Sequence, residues 1–196
     1  MIKVERMNYE KNEQKIELEV PKTEDITIGI VTIEGEYAAL TYKRRFSHPI
    51  EVVWKAITDP NELGGWMNTK AVIDVKNGGT IDFVNTVSGF HTTGRILVYD
   101  PQSVFEHEWH IAPNTSLPHG ESESVIRWEL KQYGDSNNTL LTLTHSRLTN
   151  PTSLNFAPGW HAYLDRLEAS LNNEVQPGWV QRFGELKELY SKSANN

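Results

Sequence analysis

A chain of 196 residues and 22.4 kDa is long enough to bury a hydrophobic core without cross-links, and its net charge of −7 opposes attraction to nucleic-acid phosphates. It has no cysteine, which removes disulfides, thiolate metal sites and cysteine nucleophiles and suits a reducing cytoplasm. The polar opening Met1 to Lys15 lacks the apolar run of a signal peptide, and no later stretch reaches the roughly 20 apolar residues of a spanning helix. The expectation is a cytoplasmic protein with no nucleic-acid partner and no membrane association.

Residues 1–25 read as a polar extension and 26–196 as one domain. Ile26, Ile28 and Ile30 alternate with polar or small residues, the period of a half-buried strand. Glu34-Gly35-Glu36 marks a turn, and Tyr37 to Phe46 completes a hairpin. The basic cluster Lys43-Arg44-Arg45 lies in this second strand and reads as an exposed strand end. Ser47-His48-Pro49 opens a helix with Pro49 in the first helical position; Ile50, Val53, Trp54 and Ile57 form its apolar face. Asp59-Pro60 interrupts it, and Asp59, Pro60 and Glu62 start a second short helix that should end at Gly64-Gly65, with Trp66 turned inward.

From Ala71 to Leu148 a succession of strands is separated by turns at Asn77-Gly78-Gly79, Asp100-Pro101 and Gly134 to Asn138, which indicates an antiparallel meander. The longest polar interruption, Ala112 to Glu123, is a candidate lid. Pro158-Gly159 precedes a long helix read as Gly159 to Asn173, with Trp160, Leu164, Leu167 and Leu171 on one face. A further helix at about 177–191 repeats that spacing in Trp179, Phe183, Leu186 and Tyr190.

Strand parity selects the residues that face inward. Phe105, His107, Trp109 and Ile111 share one face of their strand, Ile126, Trp128 and Leu130 another, and Leu141, Leu143 and His145 a third. Phe83 joins them from the strand after Gly79, and Trp160, Tyr163 and Leu164 of the long helix lie against them. His107 and His145 stand on otherwise apolar faces, where each either orients a ligand or serves as a hydrogen-bonded core histidine. The two imidazoles of His107-Glu108-Trp109-His110 point to opposite faces of a strand, so no metal site is expected, and no cofactor fingerprint occurs. His161, Asp165 and Glu168 share the polar face of the long helix and read as solvated.

Arg45 to Pro49, Val53 to Pro60 with Trp66, Gly78-Gly79, Gly94-Arg95-Ile96, Leu143 to Ser146 and above all Gly159-Trp160-His161-Ala162-Tyr163-Leu164-Asp165-Arg166-Leu167 resemble, in order and spacing, the family of heat-shock-protein ATPase activator homologues. That family belongs to the START or birch-pollen-allergen-like superfamily, SRPBCC. The resemblance implies an α+β helix-grip fold: a curved antiparallel sheet wrapped around a long C-terminal helix, with two short helices after the first strands.

It also implies an internal cavity for a small hydrophobic or amphipathic ligand, in a stress-related setting. The ligand-binding candidates are Phe83, Phe105, His107, Trp109, Trp128, Leu143, His145, Trp160, Tyr163 and Leu164. Two alternatives stay open. One is a polyketide cyclase or aromatase-like enzyme in which His107 or His145 moves a proton. The other is a co-chaperone-like module that contacts a chaperone or a second copy through exposed apolar surface around Trp179.

Overall fold

In the computed structural model, which describes residues 14–16, 29–121 and 123–193, β1 (Gln14–Ile16) pairs with β2 (Ile30–Glu34). Strand β2 turns through Gly35, at φ +64, into β3 (Tyr37–Phe46). The hairpin is as expected, while Ile26 and Ile28 fall outside the described residues.

Helix α1 spans Ile50–Thr58 and α2 spans Pro60–Met67. Pro49 is not the first helical residue: its ψ of 154 leaves it extended, as the cap before the helix. Asp59 does cap α2, its Oδ1 accepting from the N–H groups of Asn61 and Glu62. Helix α2 also runs past Gly64-Gly65. Burial of Trp66 and Met67 outweighs the glycines' weak helix propensity, and the turn comes at Asn68, which is left-handed at φ 54.

The meander follows as β4 (Thr69–Ile73), β5 (Thr80–Asn85), β6 (His91–Asp100), β7 (Val104–Glu108), the short β8 (His110–Ile111), β9 (Val125–Tyr133) and β10 (Asp135–Thr149). The last turn is tighter than Gly134 to Asn138: Gly134 alone separates the strands, at φ +69, and a register shift between Asp135 and Thr139 absorbs the extra residues. All pairings are antiparallel, and the curved sheet runs β1-β2-β3-β10-β9-β7-β6-β5-β4, with β8 beside β6. Gly94 sits where β6 crosses close to β7. A Cβ there would strike the carbonyl of Glu108, so only glycine fits.

Helix α3 occupies Asn150–Leu171, starting well before Gly159. Pro151 fits its first turn, and buried Glu121 places a carboxylate at its positive end, accepting from the N–H and hydroxyl of Thr149. Pro158 is tolerated inside the helix because the carbonyl it leaves without a donor belongs to Leu154, which is exposed to solvent. Helix α4 (Trp179–Ser193) packs back on α3.

That packing corrects two readings of surface charge. His161 and Asp165 are covered by α4 rather than solvated. Arg44, read as part of an exposed strand end, is buried with its Nη2 3.7 Å from Asp165 Oδ1. Asp165 also accepts from Arg182 Nε at 2.8 Å, and His161 Nδ1 lies 3.1 Å from the hydroxyl of Tyr190. The same hydroxyl accepts from the N–H of Gly29, so α4 is pinned to both α3 and the first hairpin.

Arg166 is the other buried cation of α3. Its Nε donates to the carbonyl of Trp66 at 2.7 Å, Nη1 to that of Pro177 at 2.7 Å, and Nη2 to Gly65 and to Asn68 Oδ1. The guanidinium therefore caps the negative end of α2 and ties it to the link between α3 and α4. Replacing Arg166 by Leu is expected to lower stability by about 2 to 4 kcal/mol, since charged hydrogen bonds to buried carbonyls are lost together. Lysine should recover only part, because one ammonium cannot span the set. Urea unfolding measures both, and a loss for Arg166→Leu near zero would contradict the bracing role.

Candidate functional site

Where α3 leaves the plane of β4, β5 and β6, the interior is not filled. A cavity of about 430 Å³ lies there. Its sheet side is formed by Thr69, Phe83, Asn85, Thr92, Trp109 and Ile111. Phe156, Gly159, Trp160 and Tyr163 of α3 face them, and Trp179 and Phe183 of α4 close a third side. Ser116 and Leu117, from the loop after β8, complete the rim. This loop is fastened at its base by paired backbone bonds between Ile111 and Glu121, and internally by Asn114 Oδ1, which accepts from the N–H groups of Ser116 and Leu117. The segment read as a lid thus presents its tip to the cavity from a braced base.

The lining is aromatic and, among the described residues, carries no charged side chain. Trp179 stacks on Phe183 with ring centroids 4.9 Å apart and leans on Tyr163 at 5.5 Å. Tyr163 in turn contacts Trp66 and Trp160 edge-on. The polar groups are few. Asn85 Nδ2 donates to the hydroxyl of Tyr163 at 2.7 Å and to the carbonyl of Met67 at 3.0 Å. Burial pushes the Tyr163 hydroxyl up to about 12, so it keeps its proton at neutral pH.

Of the ten candidates, Phe83, Trp109, Trp160 and Tyr163 line this cavity. The other six form the packed layer next to it. Phe105 and His107 are in contact at 4.8 Å, and His107 continues to Phe83 and Trp109. Trp128 fits between Trp66 and Trp160, while Leu143 and Leu164 are wholly buried. His145 Nδ1 accepts from Trp160 Nε1 at 2.9 Å, which fixes the neutral ring with its proton on Nε2.

Sequence reasoning did not single out Asn85, Thr92, Phe156 or the pair Trp179 and Phe183 for this wall. The pair had a signal, the repeated four-residue spacing of α4. The others come from the last residue of a strand, a polar strand position and a helix turn hidden before Pro158.

Both interior histidines are held neutral. Burial lowers His107 to about 4, against a backbone bond to the carbonyl of Glu108, and burial aided by His107 lowers His145 to about 3. His161 is likewise lowered to about 3, by burial and then by Arg44 and Arg182. Among the described residues no cluster of three or more metal-ligating side chains occurs, and no described helix is long and apolar enough to cross a membrane.

Residues 47–172 match the family described as Activator of Hsp90 ATPase homolog 1-like protein. Among solved structures, CalU16 from Micromonospora echinospora in solution is similar at 21% identity and a TM-score of 0.65, covering 88% of this chain and 97% of that one. The protein encoded by gene BPP1335 from Bordetella parapertussis is similar at 21% identity and a TM-score of 0.63, over 82% and 87% of the two chains. A conserved protein of unknown function from Enterococcus faecalis, EF2215, gives 16% identity and 0.62, over 84% and 91%. At these identities the likeness establishes the fold. A search among curated proteins finds no match.

The three buried histidines set an acid limit. An unfolded histidine titrates near 6.5, so on acidification the unfolded chain takes up protons before the folded one does. Their contribution is complete above about pH 6.5 and is lost as pH falls toward about 4 for His107 and about 3 for His145 and His161. Unfolding free energy should therefore decline by up to about 1.4 kcal/mol per pH unit for each histidine between pH 6 and 5. His107→Phe should reduce that slope by one proton's worth. A stability profile flat from pH 6.5 to 5 would refute the assignment.

Proposed function

We propose, from the premise that this chain belongs to the Activator of Hsp90 ATPase homolog 1-like family of the SRPBCC superfamily, that it binds one small, largely apolar molecule in the cavity between α3, α4 and strands β4 to β6. The observation that carries this reading is the cavity itself: about 430 Å³ of aromatic-lined, uncharged space, within the range of small-molecule sites, beside a core otherwise packed ring against ring. Apolar burial would drive binding, and the rigid aromatic walls would need little reordering.

The arrangement supports binding without turnover. His107 and His145 are neutral and stand outside the lining, so neither offers an acid at neutral pH to a molecule held there. A co-chaperone-like contact through Trp179 is less well supported, because that ring is packed between Tyr163 and Phe183.

Trp109, Trp160 and Trp179 all line the cavity, so their fluorescence reports its occupancy. A neutral naphthalene dye is expected to quench them with one-site saturation. Thr92→Trp, on the sheet wall, and Ser116→Trp, on the rim, should each weaken binding by at least about tenfold by filling volume, although overpacking at Thr92 is expected to cost about 1 to 3 kcal/mol of stability. If both variants are folded and bind as the parent does, the cavity is not the binding site.

A further inference from the structure

Tyr163 brings a hydroxyl into an uncharged wall, and its bonding decides which way that hydroxyl acts. The orientation of Asn85 leaves no freedom. Its Oδ1 accepts from the N–H of Val87 at 3.0 Å, from the N–H of Ser88 at 2.8 Å and from Ser88 Oγ at 3.0 Å. Its Nδ2 faces the carbonyl of Met67, so turning the amide over would set oxygen against oxygen there and nitrogen against two backbone donors. Asn85 is therefore the donor to Tyr163, and the tyrosine cannot return its proton to that partner.

Among the described residues no acceptor takes this proton. The remaining polar groups of the wall are differently disposed. Thr69 Oγ1 donates to the carbonyl of Met67, and Ser88 Oγ to Asn85. Thr92 and Ser116 bring hydroxyls to the lining without such an anchor, Asn155 Nδ2 donates to the carbonyl of Pro151, and the Nε1–H of Trp179 is buried beside them with no hydrogen bond. Arg166, whose charge reaches Tyr163, spends its donors on Trp66, Pro177, Gly65 and Asn68 and does not line the cavity.

We infer that Tyr163 is a fixed hydrogen-bond donor that selects a neutral, flat, largely apolar ligand bearing one acceptor oxygen, such as an aryl ketone. This rests on the cavity-binding reading above and narrows it. A carboxylate would enter a wall with no cation and lose its hydration, so an organic anion of the same size binds more weakly. An unsubstituted hydrocarbon fits the walls and leaves the tyrosine's proton unmet.

Three probes of nearly equal shape separate these cases: naphthalene, 2-acetylnaphthalene and 2-naphthoate, titrated at pH 7 against the intact chain. The expected order of affinity is 2-acetylnaphthalene, then naphthalene, then 2-naphthoate, with the ketone favoured over the hydrocarbon by about tenfold. Tyr163→Phe should erase the ketone's advantage and leave naphthalene unchanged. Thr92→Val should preserve the preference.

Near-ultraviolet circular dichroism checks that each variant keeps its packing. If none of the three probes binds the parent chain, the cavity-binding reading falls and this inference with it. If naphthalene binds in the cavity but the ketone gains nothing, or the naphthoate binds tightest, or the gain survives Tyr163→Phe and disappears in Thr92→Val, the cavity reading stands and the role of Tyr163 is overturned.

Discussion

The guanidinium of Arg166 is the constraint on which the rest of this molecule depends. One planar group near the C-terminal end of α3 receives carbonyl oxygens from the end of α2 and from the approach to α4, and an amide oxygen from Asn68. These are the helix-end groups that a buried terminus would otherwise leave unpaired. By collecting them, Arg166 lets α2 end inside the molecule, starts β4 at a defined place, and fixes the direction in which the chain returns. Met67 and Thr69, next to one anchored segment, and Trp179, next to the other, are cavity walls. The position of the cavity is thus set by polar bonds behind its lining.

The interior beside the cavity is built by a different rule. Trp128 meets Trp66 and Trp160 edge to face, while the contacts that continue through Trp109, His107 and Phe105 are tilted. The cavity lies against the middle of this ladder, where Trp109 and Trp160 border it. The histidines within the ladder act as aromatic spacers with one polar edge, which accounts for their neutrality and for the bond from Trp160 that fixes the tautomer of His145.

How much of this could be read from the chain depends on what each pattern encodes. Period-two alternation reports which side of a strand is covered, and Phe105, His107, Trp109, Ile126, Trp128, Leu141, Leu143 and His145 are all buried as parity predicts. Parity does not report whether the covered side meets another side chain or open space. This is why ten inward residues were legible and only four of them border the cavity. The polar face of α3 was misjudged because periodicity within one helix cannot see a second helix laid over it. His161 and Asp165 are polar because they bond to Tyr190 and Arg182, residues distant in sequence. Pro158 reads as a helix start because the exposure of Leu154, whose carbonyl loses its donor to the proline, is a tertiary fact.

The segment that matches the family ends at residue 172, and α4 begins at Trp179. Trp179 and Phe183 therefore lie beyond the matched segment, yet they supply a whole side of the cavity. The width of the cavity is in this way set partly by a stretch beyond the matched segment, while the polar pair Asn85 and Tyr163 lies within it. Sheet, α2 and α3 can remain as they are while exchanges at two positions one helical turn apart enlarge, flatten or block the space that they enclose.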